Sequence, residues 1–354
     1  LLKIIIFAVL IVAVVGGIIY LNSQKADRGG NDGGVSVTPR LSNDSEKNQT
    51  VSLEDKAVVG PKPSVDEKTA SMQKSKKYTL AKEITTPDGF INTDGKPVTI
   101  GEFVGKKVVL LDIWTYSCII CQRTTPYLNA WYEKYKDKGF VIIGLHTPEF
   151  EFEKVYQNVL EATKRLEIKY PVVLDNDYST WNAYQNRYWP RKYLIDIDGY
   201  VVHDHIGEGG YEETEQKIQE ALSERMAVLG ESGTINTAVT KEIPIQNGAK
   251  SPETYFGSAR SDQQANLLFP SDGWSITPEF AQNSSPNASI VYTYAAKDVF
   301  FVAEAGTETI VEVTLDGKPL GSEAGADIIK TSDGKTIVKI KEARLYKIIQ
   351  GNQS

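Results

Sequence analysis

The stretch that decides the fold runs from Val108 to Cys121 and reads VVLLDIWTYSCIIC. Its first half is a short apolar run, which is typical of a strand buried in the centre of a sheet. The residues from Thr115 to Ser117 turn the chain, and a helical pattern follows from Cys118 to about Lys136. A strand that leads directly into a helix indicates an α/β fold.

The pattern beyond this stretch predicts an α/β sandwich with a mixed sheet, because strand and helix signals alternate and then end in a hairpin. The Asp198-Gly199 pair is the turn of that hairpin. The predicted elements are, in order, strand 140–145, helix 151–166, strands 171–174, 191–196 and 200–205, and an amphipathic helix that ends near residue 229.

The chain has only two cysteines, and they stand three positions apart. Two cysteines cannot build a disulfide framework or a four-cysteine zinc site, and the three histidines show no zinc-ligand spacing. A redox pair and two structural thiols are the remaining alternatives. No metal and no separate cofactor is expected, because in a redox pair the active group is the Cys118–Cys121 disulfide itself.

A C-x-x-C motif at a strand-to-helix junction places its first sulfur at the helix N-terminus. Unpaired backbone N–H groups and the helix dipole there favour the thiolate. Cys118 is therefore the predicted nucleophile. Cys121 lies one turn further on the same helix face, where it can resolve a mixed disulfide.

Four further positions resemble the thioredoxin-like proteins. Asp112 stands six positions before Cys118, at the place of the buried carboxylate of that family, and Trp114 stands at the place of the active-site tryptophan. Pro126 matches the proline that kinks the first active-site helix. Pro190, which precedes a strand and its hairpin, matches a cis-proline that faces the disulfide. The resemblance favours a redox pair over structural thiols.

Asp112, Pro190 and the two tryptophans each have a functional interpretation and an alternative, purely structural one. A buried Asp112 has a raised pKa and can take the proton of Cys121; the alternative is a partner for Lys106 or Lys107. Pro190 removes a backbone donor and, if cis, exposes neighbouring backbone to a bound peptide; the alternative is a plain turn. Trp114 and Trp189 either frame the sulfur site as substrate contacts or belong to the core.

The motifs narrow the resemblance to the soluble part of DipZ-type cytochrome c biogenesis proteins, within the TlpA/ResA-type redoxins. The resemblance covers about residues 77–350, and its motifs are YSCIICQRTTPYL at 116–128, HTPEF at 146–150, NAY at 182–184 and WPR at 189–191. The resemblance implies an electron donor of the CcdA/DipZ type in the membrane and substrates that include apocytochrome cysteines. It also implies that Glu149 tunes the cysteines and contacts substrate; a solvated loop acid is the alternative.

The N-terminus carries an uncharged run of 18 residues, Ile4 to Leu21. As a helix it would span about 27 Å, close to the bilayer core of about 30 Å. We therefore expect a transmembrane anchor at 1–21, followed by a flexible linker at 22–76 that is rich in Gly, Ser, Asn, Asp and Lys. The expected location is the cell membrane, single-pass, with both folded domains on the extracytoplasmic side.

The last part of the chain, 245–354, changes character. Segments rich in Val, Thr, Tyr and Phe, split by Asp316-Gly317 and Asp333-Gly334, predict an antiparallel β-sandwich. It resembles the carbohydrate-binding-like module of DipZ proteins, which implies a cell-wall glycan as ligand. The aromatic candidates are either stacking faces or sandwich core; they are Trp274, Tyr255, Tyr292 and Tyr294.

The predicted domains are the anchor (1–21), the linker (22–76), a thioredoxin-like redox domain (77–230), a second linker (231–244) and the β-sandwich (245–354). A net charge of −7 without a basic run excludes a typical nucleic-acid binder. The predicted function is thiol–disulfide exchange with protein disulfides, acting as a reductant. A thiol peroxidase is disfavoured because Leu111 stands where the Pro-x-x-x-Thr-x-x-Cys pattern has proline, and the cysteine pair with Pro190 argues against a redox-inert glycan-binding module.

Overall fold

The structure, a computed structural model, describes residues 3–10, 74–241, 251, 253–259, 268–270 and 272–351, with the backbone alone described for 3–10 and 268–270. The first strand, β1 (Lys3–Leu10), precedes two regions of different architecture. We call them the α/β domain, described over 74–241, and the C-terminal module, described within 251–351.

The α/β domain is built on one mixed sheet. Its strands are β2 (Gly89–Ile91), β3 (Val108–Trp114), β4 (Phe140–His146), β5 (Val172–Leu174), β6 (Arg191–Ile195) and β7 (Val201–Ile206). They lie in the order β2-β5-β4-β3-β6-β7. The central strands β3, β4 and β5 are parallel, while β2, β6 and β7 pair with their neighbours in antiparallel fashion. This arrangement confirms the predicted α/β domain with a mixed sheet.

Four helices pack on this sheet: α1 (Ile119–Tyr135), α2 (Tyr156–Arg165), α3 (Ser179–Ala183) and α4 (Tyr211–Leu229). The single helix predicted over 151–166 is divided in two. Glu151–Lys154 forms a 3₁₀ turn, and Val155 is extended with φ −74° and ψ 112° before α2 begins. The division coincides with Glu153, whose carboxylate binds the backbone N–H groups of Glu149 and Phe150.

The alternation of side chains along β3 divides the domain into two cores. Leu110 and Trp114 pack in the core that contains α1, α2 and α4, whereas Leu111 packs in the core on the opposite face. Asp112 has the same parity as Leu110 and Trp114, so it points to the helix-side core. Cys121 is part of that core as well, and the sheet therefore brings the carboxylate to the side of the cysteine pair.

The C-terminal module is an antiparallel β-rich region. Its strands are β8 (Leu268–Pro270), β9 (Trp274–Ile276), β10 (Ala281–Asn283), β11 (Ser289–Tyr294), β12 (Asp298–Ala303), β13 (Thr309–Leu315), β14 (Lys318–Pro319), β15 (Ile328–Lys330), β16 (Thr336–Ile340) and β17 (Arg344–Gln350). The predicted turns are confirmed, since Gly317 and Gly334 adopt positive φ between successive strands. Six of these strands form one seven-stranded sheet together with β1, and β9–β10 and β12–β17 form two small sheets. The sandwich arrangement and the domain boundaries stay predictions.

The N-terminal apolar run differs from its prediction in the part that the structure describes. Lys3–Leu10 forms β1 between β11 and β13 of the large sheet instead of the first half of a helix. An uninterrupted apolar run rich in Ile and Val fits a buried strand as well as a buried helix, so periodicity alone does not separate them. The rest of the predicted anchor and most of the linker lie outside the described residues. Among the described helices, none combines the length and apolarity needed to span a bilayer.

Candidate active site

Cys118 occupies the N-cap of α1, with an extended backbone at φ −72° and ψ 118°. Its Sγ accepts a hydrogen bond from the Cys121 N–H at 3.2 Å. The sulfur therefore lies at the positive end of the helix dipole and satisfies one of the unpaired N–H groups of the first turn. This is the position that the sequence predicted for the nucleophile.

The two cysteines differ in accessibility. Both are free thiols in the structure; Cys118 is half-buried, and Cys121 is 2% exposed. Burial raises the pKa of the Cys121 thiol, and the adjoining Cys118 sulfur raises it further. A partner disulfide can therefore reach Cys118 first, while Cys121 stays protonated and screened until a mixed disulfide forms.

Asp112 is buried on β3, at 2% exposure. Burial raises the pKa of its carboxyl from 3.8 to about 6, against an opposing effect of the Lys192 charge. Its charge in turn contributes to the raised pKa of Cys121. Among the described residues its Oδ1 has no hydrogen-bond partner. With a pKa of about 6, the carboxyl of Asp112 changes its protonation state close to neutral pH.

The cation beside Asp112 is Lys192. It is neither Lys106 nor Lys107, the two partners that the sequence analysis gave as the alternative. Lys192 is fully buried and stands directly opposite Asp112 in the antiparallel β3–β6 pairing. Its Nζ donates to the carbonyl of Gly207 at 3.3 Å. Burial lowers the pKa of Lys192, and the charges of Asp112 and Cys121 oppose that effect. The sequence indicates a buried charge at Asp112, because this residue lies in the middle of an apolar strand. The identity of its partner depends on the register between β3 and β6.

Replacing Lys192 by Met is expected to raise the pKa of Asp112 above about 6. The variant removes the cation that favours the ionised carboxylate and leaves the burial that disfavours it, so a shift of about one pH unit upward is expected. Carboxyl ¹³C chemical shifts followed against pH measure it directly. Lys106→Met, at an exposed position, is the control. An unchanged or lower midpoint in Lys192→Met contradicts the pairing.

The Trp189–Pro190 peptide bond is cis, as the resemblance implied. Trp189 is half-buried, and its Nε1 donates to the Thr147 carbonyl at 2.9 Å. Trp114 is only 2% exposed and lies edge-on to His146, with ring centroids 5.2 Å apart. This burial favours the core interpretation of Trp114 over a direct substrate contact, while Trp189 stays partly accessible.

His146 is the last residue of β4 and Glu149 follows the strand, so both lie at its carboxyl end as predicted, but their surroundings differ. His146 is fully buried, and burial lowers its pKa to about 3, so the ring is neutral at physiological pH. Glu149 is half-buried, and its Oε1 accepts from the Tyr255 hydroxyl of the C-terminal module at 3.1 Å. Glu149 therefore contacts that module.

Glu153 is the buried acid of this region, which the sequence did not single out. Its Oε1 accepts from the Ser117 N–H at 3.2 Å and from the Ser117 hydroxyl at 2.6 Å. Burial raises the pKa of Glu153, and these hydrogen bonds oppose the rise. The sequence shows three acids at alternate positions from Glu149 to Glu153, and only the fold determines which of them is buried.

The aromatic residues of the C-terminal module are placed mainly by packing. Trp274 is half-buried against the module core, and its Nε1 donates to the Ser289 carbonyl at 3.1 Å. Tyr294 is 2% exposed, and Tyr292 stacks on it with centroids 6.1 Å apart. These contacts favour the core alternative, and the glycan ligand stays a prediction.

Comparison with known families gives two matches along the chain. The redoxin family matches residues 76–222, and the family described as thioredoxin-like C-terminal domain matches residues 269–354. The first match contains both cysteines and the cis-proline, and the second contains most of the C-terminal module.

The chain is similar to the protein DipZ of Mycobacterium bovis, with 40% identity over 261 residues that cover 66% of this chain and 37% of the relative. It is also similar to the thiol-disulfide oxidoreductase ResA of Bacillus cereus, with 36% identity over 132 residues that cover 37% of this chain and 73% of the relative. A solved thioredoxin domain of a thiol-disulfide oxidoreductase from Bacteroides vulgatus is 29% identical, covers 39% of this chain and 94% of its own, and has a TM-score of 0.33.

The chain thus spans little more than a third of the DipZ relative and most of the ResA relative. The redoxin match contains the segment that carries the cysteine pair at the head of α1. The chain has a redoxin domain followed by a thioredoxin-like C-terminal domain, is similar to DipZ, and belongs to the thiol–disulfide oxidoreductases of the ResA type.

Proposed function

We propose that this chain is a reductant of disulfides in exported proteins, including the cysteines of apocytochromes c. The observation that carries the proposal is the asymmetry of the pair: a half-buried Cys118 sulfur that accepts the Cys121 N–H at the head of α1, beside a buried Cys121. Such a pair can attack a foreign disulfide with one sulfur and then release it with the other.

The first half of the reaction is attack by the Cys118 thiolate on one sulfur of the substrate disulfide. A bond forms between Cys118 Sγ and that sulfur, the substrate S–S bond breaks, and the second substrate sulfur leaves as a thiolate that takes a proton from water. The helix N-terminus favours the attacking thiolate, since the Cys121 N–H donates to its sulfur.

The second half is attack by Cys121 on Cys118 Sγ. The carboxylate of Asp112, with a pKa of about 6, accepts the Cys121 proton at neutral pH. The Cys118–Cys121 disulfide forms as the bond between Cys118 Sγ and the substrate sulfur breaks, and that sulfur leaves as a thiolate that takes a proton from water, so both substrate sulfurs are reduced. Two electrons have then passed to the substrate, and a dithiol donor must return two electrons to the pair.

One feature supports a reducing direction. The Ile119-Ile120 dipeptide between the cysteines brings no charge that would stabilise the thiolate. A weakly stabilised thiolate gives a pair that is readily oxidised, whereas strong stabilisation of the reduced form gives an oxidant.

The reduction potential of the pair tests this direction. Equilibration of the full chain with glutathione or dithiothreitol buffers, followed by alkylation and mass spectrometry, is expected to give a value near about −270 mV. Cys121→Ser is the control, since it cannot form the intramolecular disulfide. A value near about −120 mV overturns the reductant proposal in favour of an oxidase.

We further propose that the chain works at the cell membrane on its extracytoplasmic side, with a CcdA/DipZ-type membrane protein as electron donor. The support is the uncharged run Ile4–Leu21 and the similarity to DipZ. Because Lys3–Leu10 is a strand in the structure, anchoring requires these residues to leave the sheet. Membrane fractionation of the chain with and without residues 1–21 tests the location; equal soluble fractions contradict it.

A further inference from the structure

Glu153 is a buried charged group that takes no part in the exchange chemistry. It is fully buried, and each of its carboxylate oxygens accepts two hydrogen bonds. One oxygen binds Ser117, the residue directly before the nucleophile. The other binds the backbone N–H groups of Glu149 at 2.6 Å and Phe150 at 3.0 Å. All four partners are donors, which is the environment of an anionic carboxylate.

The loop that Glu153 holds also contacts the C-terminal module. The Tyr255 hydroxyl donates to Glu149 Oε1 at 3.1 Å, and the Glu151 N–H donates to Glu279 Oε1 at 2.6 Å. The rings of Phe150 and Tyr255 lie 6.3 Å apart. Two hydrogen bonds and a ring contact therefore attach the module to this loop.

The module side of the contact is itself fixed. A Cβ at Gly257 would lie 2.4 Å from backbone atoms of Pro278 and Glu279, so the two segments approach with no room for a side chain. The Ser258 N–H donates to the Thr277 carbonyl at 2.8 Å. The segment with Tyr255 and the β9–β10 turn with Glu279 therefore meet the loop as one unit.

We propose that Glu153 is a positioning residue that couples the C-terminal module to the reactivity of Cys118. The module holds the 149–151 loop, and the Glu153 carboxylate joins that loop to Ser117. Ser117 in turn sets the backbone that presents the Cys118 sulfur at the helix head. The inference rests on the proposed function, because it concerns how the same sulfur is presented to substrate.

The coupling has a signature that loss of structural support alone does not produce. The buried carboxylate places negative charge close to the turn before Cys118, and like charge disfavours a thiolate. Glu153→Gln removes the charge with little change of shape. The midpoint of the Cys118 alkylation rate against pH is therefore expected to move down by about 0.5 to 1 pH unit, although the loop is less well held.

The experiment measures the rate of Cys118 alkylation by iodoacetamide against pH in the full chain, in a Cys121→Ser background. Glu153→Gln is compared with Glu151→Gln, an exposed acid of the same segment whose side chain pairs with Lys154. Far-UV circular dichroism and the urea midpoint of each variant establish that it is folded. A profile of Glu153→Gln that equals that of Glu151→Gln overturns the proposal.

A double-mutant cycle tests the link to the module. Tyr255→Phe removes the hydroxyl that binds Glu149 and is expected to change the alkylation rate at pH 7 by about twofold or more. The same change in a Glu153→Gln background is expected to have no effect. Equal effects in both backgrounds overturn the coupling. If Glu153→Gln does not fold, Ser117→Ala, which loses one bond to the carboxylate, takes its place in the cycle with the same criterion.

Insulin reduction by the unmodified chain distinguishes failure of the proposal about Glu153 from failure of the proposed function. If the chain reduces insulin but the Glu153→Gln profile and the cycle show no coupling, the proposal about Glu153 fails and the proposed function stands. If the chain does not reduce insulin, the proposed function fails, and the proposal that rests on it fails with it.

Discussion

Replacing Cys118 by Ser is expected to abolish insulin reduction by the full chain, with a loss of about 10³-fold or more. A serine hydroxyl is not ionised at neutral pH and cannot form the mixed disulfide. The structure gives no second thiol that can substitute, because Cys121 is 2% exposed and has a raised pKa. The measurement is the rate of insulin precipitation with dithiothreitol as donor.

Cys121→Ser is the matched variant for this prediction. It keeps the exposed nucleophile, so it is expected to attack one disulfide and to remain linked to the substrate, because the resolving sulfur is missing. Non-reducing gels show the trapped complex, and dithiothreitol releases the substrate because it reduces the mixed disulfide. Turnover in Cys118→Ser, or trapping by Cys118→Ser instead of Cys121→Ser, contradicts the assignment of the two sulfurs.

Replacing Asp112 by Asn is expected to slow the release of substrate from the mixed disulfide by about 10²-fold at pH 7. With a pKa of about 6, the carboxyl of Asp112 is mostly ionised at pH 7 and can accept the Cys121 proton, whereas it is mostly protonated at pH 5 and cannot. The release rate of the unmodified chain is therefore expected to rise through about pH 6, and the Asp112→Asn variant is expected to lack this step. Single-turnover kinetics between about pH 5 and 8 measure it.

The same titration has a consequence for stability with a defined sign. Because the folded state raises the pKa of Asp112 from 3.8 to about 6, it binds more protons than the unfolded state between these values. The contribution of Asp112 to the free energy of unfolding is therefore present below about pH 4 and is lost as the pH rises through about 6. Asp112→Asn is expected to remove this slope in urea unfolding, and Asp137→Asn, at an exposed position, is the control. A release profile or a stability slope that Asp112→Asn leaves unchanged contradicts the proton-acceptor role.

The sequence predicts the α/β domain well, because its fold depends on local patterns. The apolar run before Cys118, the Asp-Gly turns and the amphipathic period of the last helix each determine an element with few alternatives. The position of Cys118 at the head of α1 follows from the same local signal. Asp112 is placed on the correct face by the period of two along a strand.

The buried charges around the site could not be predicted in the same way. The partner of Asp112 is Lys192, which depends on the register between β3 and β6 and lies far along the chain. Glu153 is buried only because the 149–153 segment folds back onto Ser117. Side-chain contacts of this kind belong to tertiary packing, and no local pattern of polarity specifies them.

The N-terminal run illustrates a different limit. Its composition determines that it avoids water, but a strand within a sheet and a helix in a bilayer both satisfy that requirement. Lys3–Leu10 pairs with β11 and β13 in the structure, where neighbouring strands supply its backbone partners. Such partners are not visible in the run itself.

The most direct test of the central claim is the intact mass of the full chain after mild oxidation and alkylation. We expect that oxidation removes two hydrogens, blocks alkylation of both sulfurs and is reversed by dithiothreitol, and that peptide mapping finds one disulfide between Cys118 and Cys121. Two sulfurs that stay free under oxidation, or that join only between separate chains, contradict the claim that this pair is the redox centre.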